Sequence, residues 1–240
     1  MLPTLIALGP IIIRSFGVCL ALGLFFGGFV FWKKGREEGV TEEELMDSWL
    51  LAALSAFLFS RAGFVLSHWN EFNNWYRILF FTKFPGLSYA GALCGFWLIL
   101  TFLIIKKRWP VWPLLETAVF SEIVAEIFGW LGRWLAAGAW RWPWELIRAA
   151  ILIITYLSMT KWEKEYRNLF QPGALLAVYL AVSGGLELGF RHYWEGGILL
   201  LAGLLLLINR WGKLGKLKIN LFKRKIPTKD SRKKIGFDWH

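Results

Sequence analysis

Residues 87–105 read LSYAGALCGFWLILTFLII and are followed at once by Lys106, Lys107 and Arg108. Nineteen consecutive residues without a charge approach the roughly 20 needed to cross a hydrocarbon core as a helix, and a basic triplet at one end is what anchors such a helix at a membrane surface. Phe16 to Trp32 and Gly196 to Asn209 with their flanks are comparable runs. The chain as a whole is 56% hydrophobic, with 16 Trp and 20 Phe in 240 residues. A soluble core of this size has no need for that much apolar side chain, so the bilayer is the expected solvent.

Seven spans are expected, near residues 11–32, 48–67, 87–105, 113–138, 143–160, 172–190 and 194–209. The net charge of +11 is distributed unevenly among the loops between them. Lys33, Lys34 and Arg36 follow span one, but only Arg77 and Lys83 follow span two. Lys106, Lys107 and Arg108 follow span three, whereas Arg141 stands alone after span four. Lys161, Lys164 and Arg167 follow span five, and Arg191 alone follows span six. Eleven Lys and Arg lie in the tail. Rich and poor loops alternate without exception, which orients the chain with its start outside and its tail inside. The fold class expected is therefore an all-α integral membrane protein, with a seven-helix domain at 1–209 and a basic cytoplasmic tail at 210–240.

Smaller signals agree. Thr41-Glu42-Glu43-Glu44 reads as a capping box opening the second span, while Pro110, Pro113, Pro143 and Pro172 punctuate the starts of spans four, five and six. Trp32, Trp69, Trp109, Trp112, Trp140, Trp142, Trp162 and Trp194 fall at span ends, as an interfacial belt requires. The aromatic loop from His68 to Gly86 is expected outside, lying in the interface. No basic region precedes the first apolar run and no small-x-small site follows it, so that run is expected to remain as a span rather than be removed as a signal peptide. Cys19 and Cys94 lie in apolar runs and read as small buried residues.

Charged residues inside spans are expensive and mark functional sites by default. On the expected topology Arg14, Arg61, Arg133, Glu145, Arg148 and Glu187 all fall in the outer half of the membrane. Their convergence predicts a polar cavity in the outer leaflet, biased toward positive charge and suited to an anionic headgroup, because guanidinium binds phosphate bidentately. Arg14 and Arg148 are expected to snorkel to the interface; Arg61 and Arg133, deeper, are expected in the cavity. Glu122, Glu126 and Arg133 are spaced by four and seven and share one helical face. Glu187 and Arg191 are also four apart. These sets read equally as an ion-pair scaffold or as catalytic groups. No His lies within a span and no zinc-ligand spacing or phosphate-cradling Gly loop is present, so no metal and no cofactor are expected. The tail reads as an anchor on anionic lipid, with no nucleic-acid partner.

At this point a family resemblance emerges. "GPIIIRSFGVCLALGLFFGGFV", "SRAGFVLSHW", "GLSYAGALCG", "FGWLGRWLAAG", "RWPWE" and "PGALLAVYLAVSGGLELGF" together resemble prolipoprotein diacylglyceryl transferase over most of the chain. The resemblance implies a multi-pass enzyme of the bacterial plasma (inner) membrane. It implies transfer of a diacylglyceryl group from phosphatidylglycerol to the lipobox cysteine of a prolipoprotein signal peptide. It also implies a lipid cavity at the corresponding positions, Phe16, Gly86, Ser88, Tyr89, Ala90, Gly91, Trp130 and Ser183, with Arg61 in place; Arg133 and Arg14 are expected to join Arg61 as lipid-phosphate ligands by their position alone. The chain departs from the pattern in four places. Ala90 stands where the family has His, and Trp130 and Arg133 stand where its signature has Arg and Asn. Ser183 replaces a late-span Arg while Glu187 is kept, and Phe16 lacks the family's hydroxyl. Catalysis then falls to Arg133 with Glu126 or Glu187 as base for the thiol; the alternative is an inactive relative that binds anionic phospholipid or lipoprotein precursors.

Overall fold

A computed structural model describes residues 4–8, 11–69, 86–137, 144–166, 172–189 and 197–208. The chain opens on a short antiparallel hairpin, β1 (Thr4–Leu8) and β2 (Ile11–Arg14). Among the described residues seven helices follow: α1 (Ser15–Glu37), α2 (Glu42–Ser67), α3 (Tyr89–Lys106), α4 (Val111–Ala137), α5 (Trp144–Tyr166), α6 (Ala174–Gly189) and α7 (Gly197–Ile208). By length and composition α1, α2 and α3 can each cross a membrane. Their outward faces are greasy: Phe25 is 69% exposed and Leu66 70%. A soluble protein does not present such a surface over whole helices.

The membrane domain is helical as expected, and the hairpin corrects one expectation, a first span beginning at residue 11. Ile11, Ile12 and Ile13 are β-branched and pair with the preceding strand, so the helix starts at Ser15 and runs on to Glu37. The aromatic loop at 70–85, the junction at 138–143, Arg191 and the tail from 209 lie outside the described residues.

α4 is the central helix, packed against α1 and α5 extensively and against α3 and α6 more locally. Being surrounded is what lets it carry Glu116, Glu122 and Glu126 along an otherwise apolar length. Two seams hold the bundle closely, and both use small residues. On α1, a Cβ at Gly23 would lie 3.0 Å from the Ala125 carbonyl oxygen, and one at Gly27 3.0 Å from that of Ser121. Ser121 Oγ in turn donates to the Gly27 carbonyl at 2.6 Å. On α3, a Cβ at Gly91 would lie 2.5 Å from the Phe59 carbonyl oxygen, and one at Gly95 2.7 Å from that of Ser55, whose Oγ donates back to the Gly95 carbonyl at 2.9 Å. Both seams are small-xxx-small contacts closed by a serine hydroxyl, the packing mode that works where lipid offers no hydrophobic drive. Gly91→Ala is therefore expected to cost about 1–3 kcal/mol by overpacking against backbone that cannot swing away. Thermal unfolding in detergent checks it, and an unaltered midpoint would mean that α2 and α3 do not approach this closely.

One end of the bundle is laced with charge. Arg36 pairs with Glu42 at 3.0 Å, Lys107 with Glu44 at 3.5 Å, and Lys34 with Glu163. Thr41 is the N-cap of α2, but its hydroxyl donates to the Glu44 carboxylate at 3.0 Å rather than capping a backbone N–H. At the same end Glu116 of α4 accepts the N–H groups of Gly173 at 2.6 Å and Leu175 at 3.2 Å, closing the N-terminus of α6 from a neighbouring helix. Orphan N–H groups at a helix start need such partners. Toward the opposite end lie Arg61, Arg133, Arg148 and Glu187.

Candidate lipid-binding site

A cavity of about 310 Å³ opens between α1, α2, α3 and α4. Its walls are mostly apolar and aromatic, with Phe16, Leu20, Trp49, Leu93, Phe96 and Trp130 among them. The Asp, Glu, Lys and Arg side chains among its described lining residues are Glu122, Glu126 and Arg133, all from α4. The spacing of four and seven that places them on one face thus turns that face inward, toward the space.

Glu126 is 9% exposed and holds the polar centre together. Its Oε1 accepts the Tyr89 hydroxyl from the start of α3 and the Tyr179 hydroxyl from α6, the latter at 3.1 Å. Three helices are joined through one carboxylate oxygen. Tyr89 has this position because α3 begins at the short turn 86–88, where Ser88 is the N-cap. Ser88 Oγ accepts the Gly91 N–H at 3.2 Å, and its own N–H donates to the Ser60 carbonyl at 3.0 Å. The small residues in this turn therefore permit close approach to α2.

Arg133 is exposed and lies at the rim of the cavity, with its guanidinium carbon 4.8 Å from the centre of the Trp130 ring. A second guanidinium, that of Arg148, lies 4.2 Å from the same ring. Arg148 Nη2 donates to Glu187 Oε1 at 2.8 Å, and both side chains are buried to within a few per cent. Cation–π contact and a buried ion pair thus connect α5 and α6 to the α4 residue beside the cavity.

Several expected positions are altered. Arg148 does not snorkel; burial against Trp130 and Glu187 holds it inside the bundle. Glu187 is engaged by Arg148 and is not among the residues lining the cavity. Arg61 is buried, but it also is not a lining residue: its Nη1 donates to the Gly86 carbonyl at 3.1 Å and so ties α2 to the start of α3. Arg14 is exposed at the N-cap of α1. Of the expected lining, Phe16, Ser88, Tyr89 and Trp130 face the cavity. Gly86, Ala90, Gly91 and Ser183 are not in its wall; Gly91 belongs to the α2–α3 seam, and Gly86 sits against the Phe64 ring. Tyr179 and Arg148 escaped the sequence reading as site residues. A tyrosine in an apolar helix gives no distinguishing signal, but Arg148 together with Glu187 offered one, a guanidinium and a carboxylate at the same expected depth.

Comparison with known proteins bears on this arrangement. A sequence model of the family described as prolipoprotein diacylglyceryl transferase matches residues 3–196, which include every residue of the cavity. The chain is 24% identical over 251 residues to the phosphatidylglycerol–prolipoprotein diacylglyceryl transferase of Streptococcus suis, covering 87% of this chain and 92% of that protein. It is 25% identical over 206 residues to the protein of the same name from a Thermoanaerobacter species, covering 77% of this chain and 76% of that one. With four-fifths of its length matched by the family, hairpin to late helices, this chain belongs to the prolipoprotein diacylglyceryl transferase family.

Proposed function

We propose that the chain transfers a diacylglyceryl group from phosphatidylglycerol to the lipobox cysteine thiol of prolipoproteins, at the extracytoplasmic side of a bacterial plasma membrane. The observation that carries the mechanism is a cavity of lipid-compatible walls with a carboxylate within it and a guanidinium at its rim, both from α4. Orientation follows from the loops. The site lies where α2 ends, α3 begins and α4 ends, and these ends are joined by the loops poor in Lys and Arg; the rich loops join the opposite ends. On the positive-inside rule the site faces outward and the tail lies in the cytoplasm.

The chemistry assigns each group one task. Arg133 receives the phosphodiester, with Trp130 beneath its guanidinium limiting its rotamers. Glu126, held by Tyr89 and Tyr179, takes the proton of the incoming thiol, since only thiolate attacks well. The thiolate sulfur attacks the glyceryl carbon that bears the phosphate ester. The S–C bond forms as the C–O bond breaks, and glycerol phosphate leaves with the electron pair. Arg133 stabilises the extra negative charge on that leaving group. Arg148, Glu187 and Arg61 act by holding the helices that present these groups.

Arg133→Ala is expected to lower kcat/KM for phosphatidylglycerol by about 10–100-fold, the value of a charge-assisted hydrogen bond to phosphate. Arg133→Lys should restore only part of it, because an ammonium lacks the fork. Transfer rates measured against lipid mole fraction in vesicles provide the check. If the Ala variant keeps the wild-type kcat/KM, Arg133 does not hold the phosphate.

A further inference from the structure

Two tyrosine hydroxyls donate to Glu126 Oε1, but only one of these residues faces the substrate space: Tyr89 lines the cavity and Tyr179 does not. A phenol is both donor and acceptor. Of the two, Tyr89 is therefore placed to touch the carboxylate and a bound lipid at once. Its ring lies 5.9 Å from that of Trp130, and the Arg133 guanidinium carbon lies 4.8 Å from the centre of the same Trp130 ring. Glu126 precedes Trp130 by four residues, about 6 Å along the helix axis. Tyr89 thus spans from the level of the phosphate ligand to the level of the base.

The transfer reaction leaves a proton to be moved over that span. Attack on the glyceryl carbon puts the sulfur on one side of it and the departing oxygen on the other. Glu126, serving the sulfur, ends protonated, while the phosphate on the far side gains a second negative charge. A phosphate monoester has a second pKa of about 6, so the group becomes a competent proton acceptor as the C–O bond breaks. A dianion left on Arg133 would also be held more tightly than the monoanion that arrived. Resting on the transferase reading above, we infer that Tyr89 is a further catalytic residue, whose hydroxyl relays the proton from Glu126 to the departing phosphate. The S–H proton passes to Glu126. Glu126 then gives a proton to the Tyr89 oxygen as the Tyr89 proton moves to a phosphate oxygen. The S–C bond forms, the C–O bond breaks, and glycerol phosphate leaves as a monoanion. Carboxylate and hydroxyl are both restored, with no water needed to carry the proton through apolar walls.

The test measures single-turnover transfer by the full chain in phosphatidylglycerol vesicles, with a saturating lipobox peptide, in mixtures of light and heavy water. The wild-type rate should fall along a curve as the deuterium fraction rises, the signature of several protons moving in one step. Tyr89→Phe keeps the ring beside Trp130 and should retain as much phosphatidylglycerol as the wild type. It should transfer about 100-fold more slowly, the lower end of what a positioned proton donor supplies. Its rate should fall along a straight line, the signature of the thiol proton alone. Tyr179→Phe removes the other hydroxyl from the same carboxylate oxygen and should keep the curve. A straight line for the wild type overturns the relay whatever the variants do, and so does Tyr89→Phe at the wild-type rate. A slowed Tyr89→Phe that keeps the curve overturns it too, because the hydroxyl then only holds Glu126; a straight line from Tyr179→Phe moves the relay off Tyr89. Each of these results leaves the transferase reading standing. A wild type that forms no thioether overturns that reading and the relay together.

Discussion

Glu126→Gln lowers the rate of thiol alkylation by about 10²–10⁴-fold, the range that a positioned general base supplies. The substitution is chosen to be silent in every other respect. Gln has the same shape, and its amide oxygen still accepts the hydroxyls of Tyr89 and Tyr179 that converge on Glu126 Oε1. The three-helix junction survives while the proton acceptor is lost. Single-turnover rates with saturating lipid and a lipobox peptide separate the chemical step from binding, and only the former should fall. A variant that turns over at the wild-type rate would transfer the base role away from α4. Glu187 is not an equivalent second choice, because Arg148 occupies its carboxylate and it does not line the cavity.

Arg148→Ala destabilises the bundle by about 3–5 kcal/mol, the cost of leaving the buried Glu187 carboxylate without its partner. The side chain also packs on Trp130, so its loss removes one face of the stack beside Arg133. Stability in detergent falls accordingly, and residual folded protein should show a weakened hold on lipid. The double variant Arg148→Met with Glu187→Leu should recover most of the stability, because the stranded charge is gone and the volume is kept. It should not recover the orientation of Trp130 that the guanidinium provides. A double variant no more stable than Arg148→Ala would show that the pair is not coupled in the way its 2.8 Å contact implies.

The resemblance named the family and the residues explain why most of the architecture was legible. Lipid forces backbone groups to pair within each segment, so spans must be long, apolar and helical, and that pattern survives in composition alone. Charge asymmetry between loops gives an expected orientation on separate grounds, the retention of Lys and Arg on the cytoplasmic side. The hairpin was not legible, because Ile11-Ile12-Ile13 is as good a strand as it is the start of a span. Within the site, periodicity placed Glu122, Glu126 and Arg133 on one face correctly, since helical spacing is a property of a single segment. Azimuth relative to other helices is not. Arg148 near a span end reads as a snorkelling side chain until Trp130 and Glu187 are seen beside it. Arg61 reads as a phosphate ligand until the Gly86 carbonyl is found in front of it. Gly91 and Gly95 follow the same logic: small residues line cavities and close helix seams alike, and only the backbone of Phe59 and Ser55 decides for the seam.

The claim on which all of this depends is that α4 presents a working acid–base and phosphate-binding pair to a lipid held in the bundle, despite Ala90 standing where the family has its His. The direct measurement is mass spectrometry of a lipobox peptide incubated with the reconstituted chain in phosphatidylglycerol vesicles. The account predicts a peptide heavier by one diacylglyceryl group, attached through a thioether, accumulating with the wild type and suppressed by Glu126→Gln. Unmodified peptide from folded, lipid-loaded wild-type protein would contradict it and leave this chain a lipid-binding relative without the reaction.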